Sequence, residues 1–537
     1  MLSSSHRYTI IGLKFILICS LFACSKNSTK STFFRYNQPS NITSLDPAFA
    51  RDEANNWVIK HLYNTLVELD SSLQCVPSIA KSWHIDSTKT IYTFNIRSDI
   101  WFHKNKQLPN RKLIASDIVY SLNRIIDPQL ASPGAWIFNQ KLAPIAFSAP
   151  DDTTFVIYLK APYQPLLGLL TMPYCSIVLP EAVSFYGSKF RENPVGTGPF
   201  VFHVWNDNEV MLLPKNTTYF EVDDEGIQLP YVDGVRISFI ENKASEFIAF
   251  KQQKIDLLNA LDASYKDILL NQKGELNNEF IGTCRLEKNQ YLATEYLGCL
   301  IDDTASKSDK LYLLNKNIRI AISLAINRHE LVSFFRNNVG VSGVKGIVPY
   351  GFKSFETNPA DTLKYDLQLA KTYVAKSGYK GERIILQTNQ TFSEIGSYIV
   401  KQLEKIGLNA RIEIVKGAFL KENMAKGNSA FFRASWISDY ADEESFFSMF
   451  YSKNTAPPNY TRFSNTLFDK QFESYLLQLD EKSKQDLAHQ LDAILMAEMP
   501  VIPLFYYQSV RFLNNRIQHI EHNALNQLNL KTVRLCN

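Results

Sequence analysis

The sequence predicts an α/β protein, on three observations. Around residues 383–415 the chain reads strand, helix, strand: Arg383 to Leu386 is strand-like, Ile395, Ile399, Leu403 and Ile406 recur at helical spacing, and Ala410 to Val415 is strand-like again. Such alternation builds a parallel sheet. Both periodicities also occur earlier, with Tyr92, Phe94 and Ile96 two apart and Ile118, Val119, Leu122, Ile125 and Ile126 on one helical face. Finally, 537 residues at 45% hydrophobic and 20% charged describe a folded chain long enough for two or three domains.

The N-terminus sets the compartment. His6 and Arg7 precede a run from Ile10 to Cys19 that is apolar apart from Gly12 and Lys14, and Leu21-Phe22-Ala23-Cys24 follows. This reads as a signal peptide over 1–23, too short for a membrane span. Its end resembles a bacterial lipobox, with Phe22 bulkier than usual there. Cys24 would then carry lipid and residues 24–32 form a polar tether. The alternative is a plain secreted chain in which Cys24 is one more cysteine. The formal charge of +4 includes Arg7 and Lys14 of the leader, so the mature chain has no field that argues for nucleic acid. Beyond Cys19 and Cys24, five cysteines remain: Cys75, Cys175, Cys284, Cys299 and Cys536. An odd number without C-x-x-C indicates neither a disulfide framework nor a zinc site; Cys284 with Cys299 is the one local pair to consider against independent buried thiols.

The elements follow in order. Ser44-Leu-Asp-Pro47 is turn-forming, and Trp57, Val58, Leu62, Leu66 and Leu69 predict a helix over 55–69. Residues 90–97 predict a half-buried strand, and a helix capped by Ser116 runs to Pro128. Asn193 to Phe200 is a glycine-rich turn lacking the Lys-Ser/Thr of a phosphate loop. A strand with Val235, Ile237 and Phe239 inward follows, and from about Tyr291 another domain begins. There Ile318, Ile322 and Ala325 mark a helix. After the β-α-β run come helices near 468–479 and 487–496, a strand over 500–506, and a closing segment over 530–535.

The stretch from Ser429 to Tyr451 stands out chemically. An apolar run ends in Arg433, Trp436 and Asp439, and dense aromatics follow. Asp439 can pair with an ammonium and Arg433 with a carboxylate, beside large ring faces, which suits a small molecule carrying both charges and an apolar body. A peptide fits that description. The competing reading is an ordinary turn with solvated carboxylates, and Trp436 in the core.

The ordered motifs Ala80-x-x-Trp83, Tyr92-Thr-Phe-x-Ile-Arg97, Trp101-Phe-His103 and Ala115-x-Asp117-x-Val119-x-Ser121-x-x-Arg124 resemble the family 5 extracytoplasmic solute-binding proteins. These are the oligopeptide- and dipeptide-binding receptors of ATP-driven (ABC) importers. The resemblance continues through Asp127-Pro128-x-x-Ala131-Ser-Pro133, close to the oligopeptide-binding branch, although Gly134 replaces an expected aromatic. It runs on through the turn at 193–200, Asn317 to Arg328, and Pro500 to Tyr506.

The resemblance implies a periplasmic-binding-protein-like fold, two lobes around a ligand cleft with an additional inserted domain. Lobe I would comprise 33–60, 190–296 and 507–537, the insert 61–189 and lobe II 297–506. It implies an oligopeptide ligand, permease partners, attachment to a bacterial membrane by the lipid on Cys24, a periplasmic or cell-surface location, and a monomer. Asp439 would meet the ligand's α-amino group, Arg433 would lie near its carboxyl end, and Trp436 would wall a side-chain pocket. Some members carry a cystine here, at positions matching Ala293 and Ile437. The family also includes nickel, haem and sugar binders, and a sensory lipoprotein without an importer is a further reading.

An enzyme is not expected. Gly340-Val-Ser-Gly343 is not a nucleophile elbow, His329-Glu330 lacks the second histidine of a zincin, and no cofactor fingerprint occurs. No metal and no cofactor are expected, and Asp442 with Glu443 reads as a solvated face rather than an acid–base couple.

Overall fold

The computed structural model describes residues 32–39, 42–262, 264–302, 312–358, 363–478 and 480–536. The leader and Cys24 lie outside the described residues. An eleven-stranded sheet runs through the molecule, and its two halves are built differently. In the first, Phe33–Asn37 pairs in parallel with Gly234–Ser238 and Leu257–Asn259, and Val210–Pro214 and Val204–Asn206 extend the edge antiparallel. In the second, Ile384–Thr388 lies parallel to Ala410–Ile414 and Phe431–Ile437, with helix Ser393–Lys405 as the crossover. This is the predicted β-α-β unit.

Two long antiparallel strands, Cys284–Cys299 and Val501–Asn514, belong to both halves. Their register runs from Cys284↔Asn514 to Gln290↔Gln508, breaks, and resumes at Thr294↔Tyr506. At the break, Tyr291, Leu292 and Ala293 face Tyr507 alone, a bulge that bends the strand where the lobes meet.

The inserted domain carries a four-stranded antiparallel sheet in the order Ala80–Ile85, Ile91–Ile96, Thr154–Leu159, Leu142–Asp151. Helix Ala115–Ile126 buries Ile118, Leu122 and Ile125 against its core. One apolar core joins this sheet to the first lobe, from Phe94 and Phe155 to Phe34 and Tyr36. The second lobe has its own, around Leu386, Ile399, Phe431 and Leu491.

Local chemistry explains the motifs. Arg124 grips Asp46 with both guanidinium arms, 2.8 and 3.1 Å, tying the Ser44–Pro47 turn to the insert helix. His103 bonds the glycine turn twice, backbone N to Gly196 O at 2.7 Å and Nε2 to Gly198 O at 2.9 Å. Buried Arg319 donates to the carbonyls of Glu498 and Met499, which end helix Glu481–Glu498. A guanidinium there satisfies carbonyls that have no intrahelical donor.

Several expectations need correction. The helix predicted over 55–69 is Glu53–Leu62, capped by Asp52, and Val67–Leu69 is a strand. The glycine turn explains the stop: Gly198 N and Phe200 N bond Leu62 O and His61 O, each at 3.0 Å, and occupy the space of another helical turn. Ser116 is no cap, because the helix begins after Ile114, whose amide donates to Asp117 at 3.0 Å. Cys284 and Cys299 stand at opposite ends of one 16-residue strand, which spans about 50 Å at ~3.3 Å per residue, so they cannot pair. Asp442 and Glu443 are not a solvated face. The Tyr475 hydroxyl lies within hydrogen-bond reach of both, at 2.8 and 2.9 Å, and Lys484 pairs with Asp442.

Candidate functional site

The site is built on strand Phe431–Ile437, which pairs with Ala293–Cys299. Ala293 and Ile437 are direct register partners, as their resemblance to a cystine position requires. The strand ends at Ser438, whose amide donates to Leu292 O at 2.8 Å, so the bulge between the lobes fixes the turn that follows. Ser445, at the start of a one-turn helix Glu444–Phe447, then gathers the turn. Its hydroxyl lies 3.3 Å from Trp436 Nε1 and 3.4 Å from Asp439 N.

Asp439 is exposed, and no described residue donates a hydrogen bond to its carboxylate or pairs with it. Protein nevertheless crowds round it, and loss of hydration pushes its carboxyl up to about 6. Glu444 nearby is pushed up to about 7, chiefly by desolvation, with Lys141 opposing and Asp439 adding to the rise. Neither carboxylate has a cation in direct contact among the described residues, and Lys141 and Lys484 act on Glu444 only from a distance. That surplus of negative charge is what an ammonium would neutralise.

Arg433 is different, because Glu295 already engages it. Both guanidinium arms meet the fully buried Glu295 carboxylate, Nη2 to Oε2 at 2.7 Å, and Tyr507 donates to the same carboxylate. Burial opposes the charge on Arg433, but Glu295 more than offsets it and raises its pKa. The ring of Phe392 lies 4.8 Å from the guanidinium carbon. Arg336, which sequence reasoning did not single out, lies close by. Its guanidinium carbon is 4.5 and 4.9 Å from the Phe505 and Tyr507 rings, and only Nε has a partner, Val339 O at 2.9 Å. Its two terminal nitrogens have no acceptor among the described residues. Nothing in local spacing marks this arginine or Glu295, since Glu295 and Arg433 lie 138 residues apart.

Trp436 is half-buried against the second-lobe core, with its indole N–H held by Ser445. The next aromatic, Tyr440, is 1% exposed and packs not with its own lobe but with the core of the insert. Its ring lies 6.3 Å from Trp136. Beside it a cavity of about 410 Å³ opens between insert and second lobe, lined by Leu73, Trp83, Gln164, Tyr440 and Lys484. The space at Gly134, where an aromatic was expected, is filled by the ring of Tyr174.

A family model described as bacterial extracellular solute-binding proteins, family 5 middle, matches residues 74–458. The chain belongs to this family. Family 5 relatives span nearly all of it. The dipeptide-binding protein DppE of Bacillus subtilis is 22% identical over 92% of this chain and 90% of its own. The periplasmic oligopeptide-binding protein OppA of Salmonella typhimurium is 23% identical, with 90% and 88% covered. The heme-binding protein A of Haemophilus influenzae is 24% identical, with 92% and 90% covered. Among solved structures, the Helicobacter pylori periplasmic binding protein DppA in complex with the peptide STSA superposes with a TM-score of 0.78 at 24% identity, covering 94% of this chain and 98% of that one. The Listeria monocytogenes substrate-binding protein CtaP gives 0.80 at 19%, covering 94% and 100%. The family 5 fold, two lobes with an inserted domain, is therefore that of this chain. In the described residues no helix is long and apolar enough to cross a membrane.

Proposed function

We propose that this family 5 protein captures peptides with a free α-amino group outside the cytoplasmic membrane and delivers them to the permease subunits of an ABC importer. In this reading it acts as a monomer tethered by lipid on Cys24 after removal of 1–23. It binds and releases its ligand unchanged. Lobe I (33–60, 190–296, 507–537) and lobe II (297–506) close over the ligand, with 61–189 inserted between the first two segments of lobe I. Several relatives are named for dipeptide or oligopeptide binding, and the long shared strands give two crossing points about which lobes can move.

The observation that carries the reading is Asp439, a carboxylate in the cleft wall with no cation of its own. An ammonium supplies one. Closure then removes water and strengthens the pair. Trp436 and the neighbouring rings would wall a side-chain pocket. Arg433, already paired with Glu295, supports the wall, while Arg336 offers two terminal NH2 groups, without an acceptor among the described residues, to a ligand carboxylate.

The test is titration calorimetry on wild type and Asp439→Ala with short peptides, free and N-acetylated. Asp439→Ala should remain folded and lose about 2–5 kcal/mol of binding free energy for free-amine peptides. Undiminished affinity in that variant overturns the peptide assignment. Native mass spectrometry of protein from its source shows the bound ligand directly, and haem, nickel or a sugar there would replace the peptide.

A further inference from the structure

An ammonium has three N–H donors, and a closing cleft dries whichever of them lacks an acceptor. Asp439 supplies acceptors from the second lobe only. What faces it from the insert is set by two short turns, Pro133–Ile137 and Pro173–Cys175. A Cβ on Gly134 would lie 2.6 Å from Tyr174 Cδ1 and 2.7 Å from Cγ, so the Tyr174 ring occupies the volume any side chain at 134 would need. Trp136, two residues further on, packs against Tyr440, the residue that follows Asp439. The backbone of the insert thus seats Tyr174 beside the turn that presents Asp439.

The Tyr174 hydroxyl has no hydrogen-bond partner among the described residues, although the residue is only 9% exposed. Burial and then the charge of Asp439 push this phenol up to about 12, with Arg51 opposing and Asp52 adding slightly. It is therefore a neutral hydroxyl at any physiological pH, whose oxygen can accept a hydrogen bond.

We propose that Tyr174 completes the amine site: its hydroxyl oxygen accepts an N–H of the ammonium held by Asp439, so that the ligand's amino group bridges the insert and the second lobe. This inference rests on the peptide reading and makes Tyr174 a specificity-determining residue within it. A free amine would then be read twice, once by charge and once by a hydrogen bond formed on closure. A ligand with an acetylated amine loses the charge and keeps a single N–H to share between the two acceptors.

The test uses trialanine and N-acetyl-trialanine as probes, with the mature chain as wild type, Tyr174→Phe, Gly134→Ala and Asp439→Asn, each checked for its melting temperature. Tyr174→Phe should keep its melting temperature and bind trialanine about ten- to a hundred-fold more weakly, narrowing the preference over the acetylated peptide. Gly134→Ala, which displaces the ring, should weaken trialanine binding in the wild-type background but add nothing to Tyr174→Phe, because neighbouring changes that act through one contact are not additive. If Asp439→Asn loses trialanine while Tyr174→Phe and Gly134→Ala keep wild-type affinity, the role of Tyr174 is overturned and the peptide reading stands. If wild type binds trialanine no better than its acetylated form, the amine reading falls and Tyr174 with it.

Discussion

At the scale of single residues, the property that matters most is a carboxylate kept without a cation. Asp439 stays close to water yet has its carboxyl pushed up to about 6 by the protein around it. An ammonium binds its ionised form, so the bound state holds the carboxyl lower than the free state, and affinity must fall as pH drops through about 6. The fall is at most about tenfold per pH unit for one proton. Above about 8 the peptide's own α-amino group loses its proton and affinity falls again. Binding should therefore be bell-shaped in calorimetry between pH 5 and 9. Glu444, pushed up to about 7, titrates in the same range, with Lys141 acting against it. The two are separable: Asp439→Asn should flatten the acid limb and Glu444→Gln should leave it. An acid limb that survives in Asp439→Asn would refute this assignment.

At the scale of elements, the glycine turn at 193–200 ends a helix rather than holding a ligand. A Cβ on Gly198 would sit 2.6 Å from Tyr63 N and 2.7 Å from His61 O, and neither can yield because both belong to the end of helix Glu53–Leu62. Gly198→Ala should cost about 1–3 kcal/mol by overpacking, seen as a lower urea midpoint with an unchanged slope. Wild-type stability in that variant would show that the helix end can shift. The charged residues on and just beyond strand Phe431–Ile437 take their surroundings from a similar, non-local cause. The strand's pairing with Ala293–Cys299 places Arg433 against Glu295, which neutralises it, while the carboxylate of Asp439, in the turn beyond its end, has no ion-pair partner among the described residues. Two charged residues six apart thus acquire opposite roles.

For the whole molecule, the contacts between insert and second lobe would favour the closed state in the proposed mode of capture. Tyr440 leaves its own lobe to pack in the insert's core, and Lys484, paired with Asp442, donates to Gln164 Oε1 of the insert at 2.7 Å. Gln164→Ala removes only the insert's half of that link and keeps the buried Lys484–Asp442 pair intact. The variant should lose about 1 kcal/mol of closure, a factor of about five in the ratio of closed to open molecules. Small-angle scattering of the unliganded variant should show a larger radius of gyration, with peptide affinity reduced in proportion. An unchanged radius and affinity would mean the hydrogen bond does not bias closure.

The sequence determined the α/β class and most elements to within a few residues, and it singled out the stretch Arg433 to Asp439 as the candidate for charged recognition. Periodicity and turn chemistry are local, and local order survives folding. It was misled where a distant segment intervened. The 55–69 helix is cut short by a turn from residues 193–200, and Asp442 with Glu443 is covered by Tyr475 and Lys484. Which charge is free was decided only in three dimensions. Glu295 reaches Arg433 through a strand pairing, and the ring of Tyr174 takes the space over Gly134. No spacing rule reports either contact. Whether a charged group is paired, buried or open to a ligand depends on its neighbours in space, and those are fixed by packing between segments far apart in the chain.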